Sequence, residues 1–351
     1  MSAAPHPLAD LATDAGLYPQ RLDLSRQSLM FIRMTEAAIR SASFLDDRLL
    51  TGGVAQTGGW ATIPAVARTL TDAPPLSTPL HFIFHAGHVG STLVSRLLDE
   101  IHGVLSLREP SPLRTLAETF DTINDPDSLL SRGQFNTLTA ILIRLWRRGF
   151  HDTRAVVVKA TSSAGRMGPI LLDAAPHARA IYLNLAPEPY LATLLAGENN
   201  PIDLRGHGPE RFRRLTRFLG AAPGVLHTLS PGELCAMTWL CERLAEDALL
   251  RAHSARVMRA DFEALLSSPG EWMAAIAAHL ALDARADYAA RVTSSPALTR
   301  YSKATEHAYS PELRAQALAD ARQHFGEEIH KGLAWLERAG REHAAAGAVL
   351  P

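Results

Sequence analysis

Residues 85–92 have the composition of an anion-binding loop, and they join a short apolar run to a stretch with helical periodicity. Gly87 and Gly90 allow the backbone to approach an anion closely, and Ser91 and Thr92 add hydroxyl donors. The amides of a first helical turn have no intrahelical partners and point toward such an anion. The segment therefore predicts a phosphate-binding loop. The alternative is a plain strand-to-helix turn in which Ser91 is the N-cap.

A lysine is missing from this loop. The common ATP-binding pattern places Lys between the last glycine and the hydroxyl residue, whereas here Ser91 follows Gly90 directly. The titratable side chain nearest that position is His88, which can bind an anion as an imidazolium or as a neutral N–H donor. A histidine that only caps backbone groups is the competing interpretation.

Two charged residues follow apolar runs farther along the chain. Glu109 comes after residues 104–107, and Lys159 ends residues 155–159. Ligands of open parallel sheets bind at the carboxyl ends of the strands, so Glu109 is a candidate base that removes a proton from an attacking group. It could instead pair with Arg108 or cap the next helix. A lysine in so apolar a run needs an anionic partner, which is either a reacting group or Glu109 itself.

Apolar runs alternate with amphipathic stretches from residue 80 onward, which predicts βαβ crossovers and a three-layer α/β/α fold with a central parallel sheet. Five strands are expected, near residues 81–85, 104–107, 155–159, 180–185 and 256–259. Residues 1–75 are predicted as a helical N-terminal or cap segment, with a helix over residues 24–50 that Gly52 and Gly53 end. Residues 76–351 form the α/β domain, with a cap insertion around residues 197–230 and a closing loop near residues 296–310.

Composition limits the classes of partner. The 351 residues are 47% hydrophobic, and 35 basic residues oppose 36 acidic ones for a net charge of −1. We therefore expect neither nucleic acid nor an anionic membrane as a partner. Two cysteines six residues apart suit buried thiols in a reducing compartment. The chain shows neither a signal-peptide pattern at its start nor an apolar run of membrane-spanning length, so a cytoplasmic location is expected.

The loop resembles the 5′-phosphosulfate-binding loop of sulfotransferases that use PAPS, 3′-phosphoadenosine 5′-phosphosulfate, as the donor. Residues 90–92 match its Gly-Thr-Thr, and His88 stands where that family has Lys or Arg. Residues 107–110 are similar to the strand-end Glu-Pro of many bacterial members, and residues 156–159 to a strand that ends in Lys. Thr161 stands where cytosolic animal members carry a catalytic histidine, which places more weight on Glu109.

The resemblance continues to about residue 310. Residues 181–195 are similar to the strand and helix that bind the 3′-phosphate, with Pro187 and Thr193 at its Pro and Ser positions but Leu185 at its Arg position. Residues 256–282 resemble the family's Tyr-Glu-Asp-Leu segment and the helix after it. Because family members close over the nucleotide with a basic C-terminal loop, Arg300 and Lys303 are expected to supply the missing contact.

The resemblance implies transfer of a sulfuryl group from PAPS, without a metal, to a hydroxyl or amine of a small-molecule or peptide acceptor. It implies that Glu109, His88 and Lys159 are catalytic. The implied donor-binding residues are Gly87, His88, Val89, Gly90, Ser91, Thr92, Thr193, Arg300 and Lys303.

Two other functions stay open. One is a small-molecule kinase that uses Mg-ATP, which the missing lysine opposes, and the other is a non-catalytic nucleotide-binding protein. Five arginines over residues 205–217 either contact an acidic acceptor or the nucleotide, or form a solvated helix face. The identity of the acceptor and the oligomeric state, including a homodimer, are left open.

Overall fold

The structure is a computed structural model that describes residues 10–47, 56–197, 200–303 and 306–351. Its N-terminal part is a small antiparallel sheet with strands in the order β1-β2-β3. The strands are β1 (Leu17–Asp23), β2 (Ser28–Arg33) and β3 (Gln56–Thr62), and two helices accompany them, α1 (Glu36–Ser41) and α2 (Ile63–Thr71).

The predicted helix over residues 24–50 is therefore wrong. Asp23 accepts hydrogen bonds from Ser25 Oγ (2.7 Å) and from the backbone N–H of Arg26 (3.0 Å), and Gln27 adopts a φ of 46°. This turn reverses the chain into β2, whose aromatic and β-branched residues suit a strand. The apolar spacing that resembled one helix spans part of that strand and the separate helix α1. Gly52 and Gly53 lie outside the described residues.

A five-stranded sheet forms the centre of the main domain, and every neighbouring pair in it is parallel. Its order is β5-β6-β4-β7-β8, which confirms the predicted parallel α/β architecture. The strands are β4 (Leu80–His85), β5 (Val104–Arg108), β6 (Ala155–Lys159), β7 (Ala180–Asn184) and β8 (Val257–Asp261).

Strand β4 lies at the switch point of this topology. The chain leaves β4 for β5 and returns through β6 on one side, and then adds β7 and β8 on the other side. A crevice for ligands forms where strand connections diverge in this way, at the carboxyl ends of the strands. The loop at residues 86–90 follows β4 and therefore opens into that crevice.

Helices cover both faces of the sheet. Because side chains alternate along a strand, Phe82, Phe84 and Val158 belong to one apolar cluster, while Ile83 and Val157 belong to the other. The covering helices are α3 (Ser91–Leu98), α4 (Ser111–Thr122), α5 (Arg132–Trp146), α6 (Gly168–Ala174), α7 (Pro187–Ala196), α8 (Asn200–Gly206), α9 (Gly208–Leu219), α10 (Pro231–His253), α11 (Phe262–Ser267), α12 (Pro269–His279) and α13 (Tyr288–Thr293). Helices α8 and α9 lie in the region predicted as a cap insertion.

The C-terminal part is helical, and the chain ends with α14 (Pro311–Glu342) and α15 (Ala344–Gly347). Short 3-10 turns occur elsewhere in the main domain, at Ser162–Met167, Leu226–Thr228, Ser254–Arg256 and Pro296–Thr299. Helix α14 was not predicted from the sequence, and it packs against α7 and α10. Within the described ranges, no helix combines the length and apolarity needed to cross a bilayer.

Candidate functional site

The loop after β4 is held in left-handed backbone conformations. The φ angles are 93° at Gly87, 55° at His88 and 70° at Gly90. A Cβ atom on Gly90 would lie 2.0 Å from Cε2 of Phe262, so both the dihedral angle and the available space require glycine. At His88 such a conformation costs about 1–3 kcal/mol, and backbone strain of this kind concentrates at functional sites.

Helix α3 begins at this loop without a side-chain cap. Gly90 is its N-cap, and Ser91 is its first helical residue. The interpretation of Ser91 as a capping residue is therefore wrong. The first intrahelical bond runs from Val94 N–H to Gly90 O (3.1 Å), so the earlier amides of the turn are available to a ligand. Thr92 Oγ1 is also buried and has no hydrogen-bond partner among the described residues. These donors lie at a helix N-terminus, which is a favourable position for an anion.

The buried side chains of His85 and Tyr190 hold the loop through hydrogen bonds to its backbone. The N–H of Gly87 donates to Nδ1 of His85 (3.1 Å), and Nε2 of the same ring is 2.9 Å from the carbonyl oxygen of Ala160. Tyr190 donates its hydroxyl to Ala86 O (2.8 Å). Burial, with a further effect from Lys159, holds the pKa of His85 well below its ordinary 6.5. The ring is therefore neutral, with its proton on Nε2, and it links the loop to the end of β6.

A cavity of about 400 Å³ opens beside the loop, and we call it the donor cavity. The structure brings several residues predicted from separate segments together in its wall: His88, Val89, Gly90, Ser91, Thr92, Thr193, Arg300 and Lys303. The rest of the wall is mostly apolar or aromatic and includes residues that were not predicted as site residues from the sequence, among them Phe262, Tyr301, Tyr309, Leu313, Arg314, Ala317 and Leu318. Gly87, the other predicted loop residue, precedes this wall, and a Cβ added there would lie 3.2 Å from Cβ of Ser162.

The predicted closing loop is anchored over the cavity. Arg300 and Ala308 form an antiparallel bridge, and Tyr301 N–H donates to His307 O (2.9 Å). Arg96, on the helix that begins at the anion loop, donates from Nε to Ser302 O (2.9 Å) and from Nη2 to Ser43 Oγ (2.8 Å). One guanidinium therefore holds both the closing loop and the N-terminal segment near helix α3.

His88 lines the wall of the donor cavity. Desolvation by the surrounding protein lowers its pKa from 6.5 to about 4, and the ammonium of Lys303 acts in the same direction. The imidazole is therefore neutral at physiological pH in this structure. Of the two states considered from the sequence, the neutral N–H donor fits the site before an anion binds.

Glu109 and Lys159 form an ion pair at the carboxyl ends of β5 and β6. Lys159 is completely buried, while the N–H of Glu109 donates to Lys159 O (2.7 Å) and Glu109 has a φ of 55°. Arg108 pairs instead with Asp99, so the alternative pairing of Glu109 with Arg108 is wrong. Burial lowers the pKa of Lys159, whereas Glu109 acts against that effect.

Phe44, from the N-terminal segment, contacts two of the cationic groups. Lys159 Nζ lies 5.8 Å from the centroid of its ring, and Lys303 Nζ lies 5.9 Å from the same centroid. These are cation–π distances. The ring therefore lies between the catalytic candidate on β6 and the candidate donor-binding residue on the closing loop, a contact that no local pattern in the sequence indicates.

Glu109 also lines a smaller cavity of about 180 Å³, which we call the Glu109 cavity. Arg114 reaches across it and donates from Nη2 to Thr161 Oγ1 (3.2 Å). The other lining residues are Asp46, Asp47 and Ser111. A group that enters this cavity approaches the Glu109 carboxylate, whereas a group in the donor cavity approaches the loop.

The family's 3′-phosphate motif has an arginine where this chain has Leu185, and the structure buries that leucine. Leu185 is buried after β7, and its carbonyl accepts from Trp239 Nε1 (2.8 Å). Thr193 lines the donor cavity, but its hydroxyl donates to Pro189 O within helix α7 (2.7 Å). The donor cavity does contain a cation that the sequence did not indicate, Arg314.

Arg314 lies near the N-terminus of helix α14. Its Nη2 is 2.8 Å from Glu263 Oε1, and its guanidinium lies 5.3 Å from the centroid of the Phe262 ring. Leu313, Ala317 and Leu318 line the same wall, and Arg314 precedes the last two by the three- and four-residue spacing of one helix face. That spacing was the available signal in the sequence.

Comparison with known proteins gives structural neighbours only. No family model and no curated protein matches the chain. A sulfotransferase domain from the curacin biosynthetic pathway matches with a TM-score of 0.40 and 13% identity over 72% of this chain and 99% of that one.

Two further neighbours have the same character. A sulfotransferase from Mycobacterium avium matches with a TM-score of 0.39 and 16% identity, over 75% of this chain and 79% of that one. A sulfotransferase domain of the Synechococcus PCC 7002 olefin synthase matches with a TM-score of 0.40 and 17% identity, over 71% and 88%. Likeness this distant carries no argument about activity, which has to come from the residues of the site.

Proposed function

We propose that this protein is a sulfotransferase that moves the sulfuryl group of PAPS to a hydroxyl or amine of an acceptor. The observation that carries the proposal is the uncapped N-terminus of helix α3, with its strained loop and orphaned Thr92 hydroxyl, at one end of a cavity with basic residues in its wall. The same end of the sheet carries the Glu109–Lys159 pair.

The residues of the donor cavity fit the proposed donor. The amides of the first turn of α3 and the Thr92 hydroxyl would bind the oxygens of the 5′-phosphosulfate. Neutral His88 would donate an N–H to the bridging oxygen, and the bound anion would favour its charged form. The apolar and aromatic wall suits the adenine ring, which gains free energy from burial.

Three cations in the cavity wall suit the 3′-phosphate. Arg300, Lys303 and Arg314 line the cavity, whereas Leu185 offers no charge. Guanidinium groups bind phosphate through paired hydrogen bonds. We therefore assign the 3′-phosphate to the closing loop and to helix α14 rather than to the end of β7.

The proposed reaction uses the ion pair. The acceptor enters from the Glu109 cavity, and its oxygen or nitrogen attacks sulfur while Glu109 removes its proton. The bond between sulfur and the bridging oxygen breaks, and its electron pair remains on the phosphate of adenosine 3′,5′-bisphosphate. Lys159 would turn from Glu109 toward that oxygen and stabilise the charge that develops there.

The test is calorimetric titration of the whole chain with adenosine 3′,5′-bisphosphate and with AMP. We expect the bisphosphate to bind at least about tenfold more tightly, since only it reaches the three cations. Equal affinities, or no binding of either nucleotide, would overturn the donor assignment. Binding of ATP that requires Mg²⁺ would favour the kinase interpretation instead.

A further inference from the structure

A third cavity, of about 340 Å³, is separate from the donor and Glu109 cavities, and we call it the arginine cavity. It lies between the end of α4, the start of α5, the 3-10 turn at Ser162–Met167 and helix α9. Its lining consists of Phe120, Asp121, Asn124, Asp125, Arg132, Arg166, Arg214, Arg217 and Phe218.

The lining carries four guanidinium groups against two carboxylates. Two of the four, Arg166 and Arg214, have side chains that are only 3% exposed. Glu210 and Glu242, which do not line the cavity, hold them in place: Glu210 Oε1 is 3.2 Å from Arg166 Nη2 and 2.7 Å from Arg214 Nε, and Glu242 Oε1 is 2.9 Å from Arg214 Nη2. These cations are therefore fixed before any ligand arrives.

Three buried guanidinium nitrogens in this cluster have no hydrogen-bond partner among the described residues: Arg166 Nη2, Arg214 Nε and Arg214 Nη1. Carboxylate oxygens lie within ion-pair distance of the first two. A buried charged donor without an acceptor is destabilising. Arg214 lines the cavity, so an oxyanion there would lie beside its guanidinium. The rings of Phe120 and Phe218 supply apolar walls beside that position.

Two elements connect the arginine cavity with the Glu109 cavity. Helix α4 contributes Arg114 to the Glu109 cavity and Asp121 to the arginine cavity. Seven residues of α-helix correspond to about 10 Å. The segment that follows β6 contributes Thr161 to the first cavity and Arg166 to the second, and five residues of 3-10 helix also correspond to about 10 Å. Along both elements, the backbone positions that line the two cavities are therefore about 10 Å apart.

We propose that the arginine cavity binds a carboxylate, phosphate or sulfate group that the acceptor carries about 10 Å from the hydroxyl or amine presented to Glu109. The acceptor is thus an elongated anion with a nucleophile at its far end. Its role as an acceptor rests on the proposed function, whereas the binding of the anion does not.

Matched ligands separate charge from length. The probes are 8-hydroxyoctanoate, octane-1,8-diol of the same chain length without the carboxylate, and 4-hydroxybutanoate, which is too short to span the two cavities. Calorimetric titration without a donor should give a dissociation constant for 8-hydroxyoctanoate at least about tenfold below that of the diol and of the short acid. Equal dissociation constants for 8-hydroxyoctanoate and the diol in the wild-type chain would overturn the proposal.

Matched variants locate the binding. Arg217→Gln removes a half-exposed guanidinium from the cavity, and Arg213→Gln makes the same change at an exposed position of helix α9 that does not line it. The preference for 8-hydroxyoctanoate should disappear in the first variant and persist in the second. A preference that survives Arg217→Gln would contradict the assignment to this cavity.

Titration with inorganic phosphate and inorganic sulfate identifies the anion that fits. We expect each to compete with 8-hydroxyoctanoate in the wild-type chain, and failure of both to compete would contradict an oxyanion site. Transfer is measured separately, with PAPS and the same three acceptors. Anion binding without turnover would support the anion site and count against the proposed reaction. Turnover without a preference for the anionic acceptor would support the proposed reaction and count against the anion site.

Discussion

The donor cavity and the Glu109 cavity present their polar groups in different ways. In the donor cavity the important groups are the backbone amides of the loop after β4, which left-handed dihedral angles and the buried neutral His85 hold in place. In the Glu109 cavity the important groups are charged side chains in ion pairs and bridging hydrogen bonds. A site made of backbone amides depends on the conformation of the loop, whereas a site made of side chains depends on which residues are present. Changes in the loop after β4 should therefore alter donor affinity, and changes at the Glu109–Lys159 pair should alter turnover.

The largest expected effect is on the acceptor side. Glu109→Gln keeps the shape of the side chain but removes the proposed base, so kcat should fall by about 10²–10⁴-fold while the affinity for adenosine 3′,5′-bisphosphate changes little. The measurement is steady-state kinetics with PAPS, together with calorimetry. Glu118→Gln, an exposed position on helix α4, is the control. A matching loss of donor affinity in Glu109→Gln would break the division between the two cavities.

The next effect concerns the shape of the donor loop. Gly90→Ala places a Cβ against Phe262 at a φ of 70°, so the loop has to move. We expect donor affinity to fall by about 100-fold, since the convergence of the amides is lost. Gly133→Ala is the matched control, because a Cβ there meets nothing within 4 Å. Calorimetry that shows wild-type affinity in Gly90→Ala would mean that the donor does not bind to these amides.

A smaller effect should distinguish the two phosphates of the donor. Arg314→Gln should weaken adenosine 3′,5′-bisphosphate binding by about tenfold and leave AMP binding unchanged, because one charged contact to the 3′-phosphate is lost. The exposed Arg341 on the same helix provides the control, Arg341→Gln. Equal losses for both nucleotides would assign Arg314 to the adenine wall instead.

The smallest effect is a dependence on pH. The pKa of His88 is about 4 in the structure without an anion, with Lys303 and Asp203 among its charged neighbours. A bound anion raises that pKa, so donor affinity should rise a few-fold between pH 8 and pH 5.5, as protonation becomes favourable in the complex. In His88→Asn this component should be absent and the titration of the nucleotide itself should remain. Identical pH profiles would show that His88 stays neutral with the donor bound.

The sequence predicted the parallel sheet well, because the strands are short, mostly apolar runs with helical stretches between them. The loop after β4 was also predicted from the sequence, because its glycines and hydroxyl residues lie within a few positions of one another. The roles assigned to Glu109, His88 and Lys159 remain predictions, although the structure places them at one end of the sheet.

The remainder depended on contacts between distant segments. Strand β2 was mistaken for part of a helix because the apolar spacing in residues 24–50 runs from that strand into the separate helix α1. Phe44 and Arg314 reach the site from segments far apart in sequence. Phe44 has no local motif, and the spacing around Arg314 indicates a helix face but not the cavity that this face lines. Arg214 and Arg217 belong to the arginine run that was noted in the sequence, but only the fold separates the buried guanidinium that faces a cavity from the exposed Arg213.

Helix α14 forms one wall of the donor cavity, and this affects when the newly made protein becomes able to bind the donor. Residues 88–93 leave the ribosome long before residues 313–318, although both groups line the same cavity. A domain generally folds as a unit. A nascent chain that has not yet released residues 313–318 therefore contains the loop after β4 while the cavity lacks one wall. The completed cavity appears only when one of the last helices made has docked, so tight donor binding can report that synthesis and folding have reached that point.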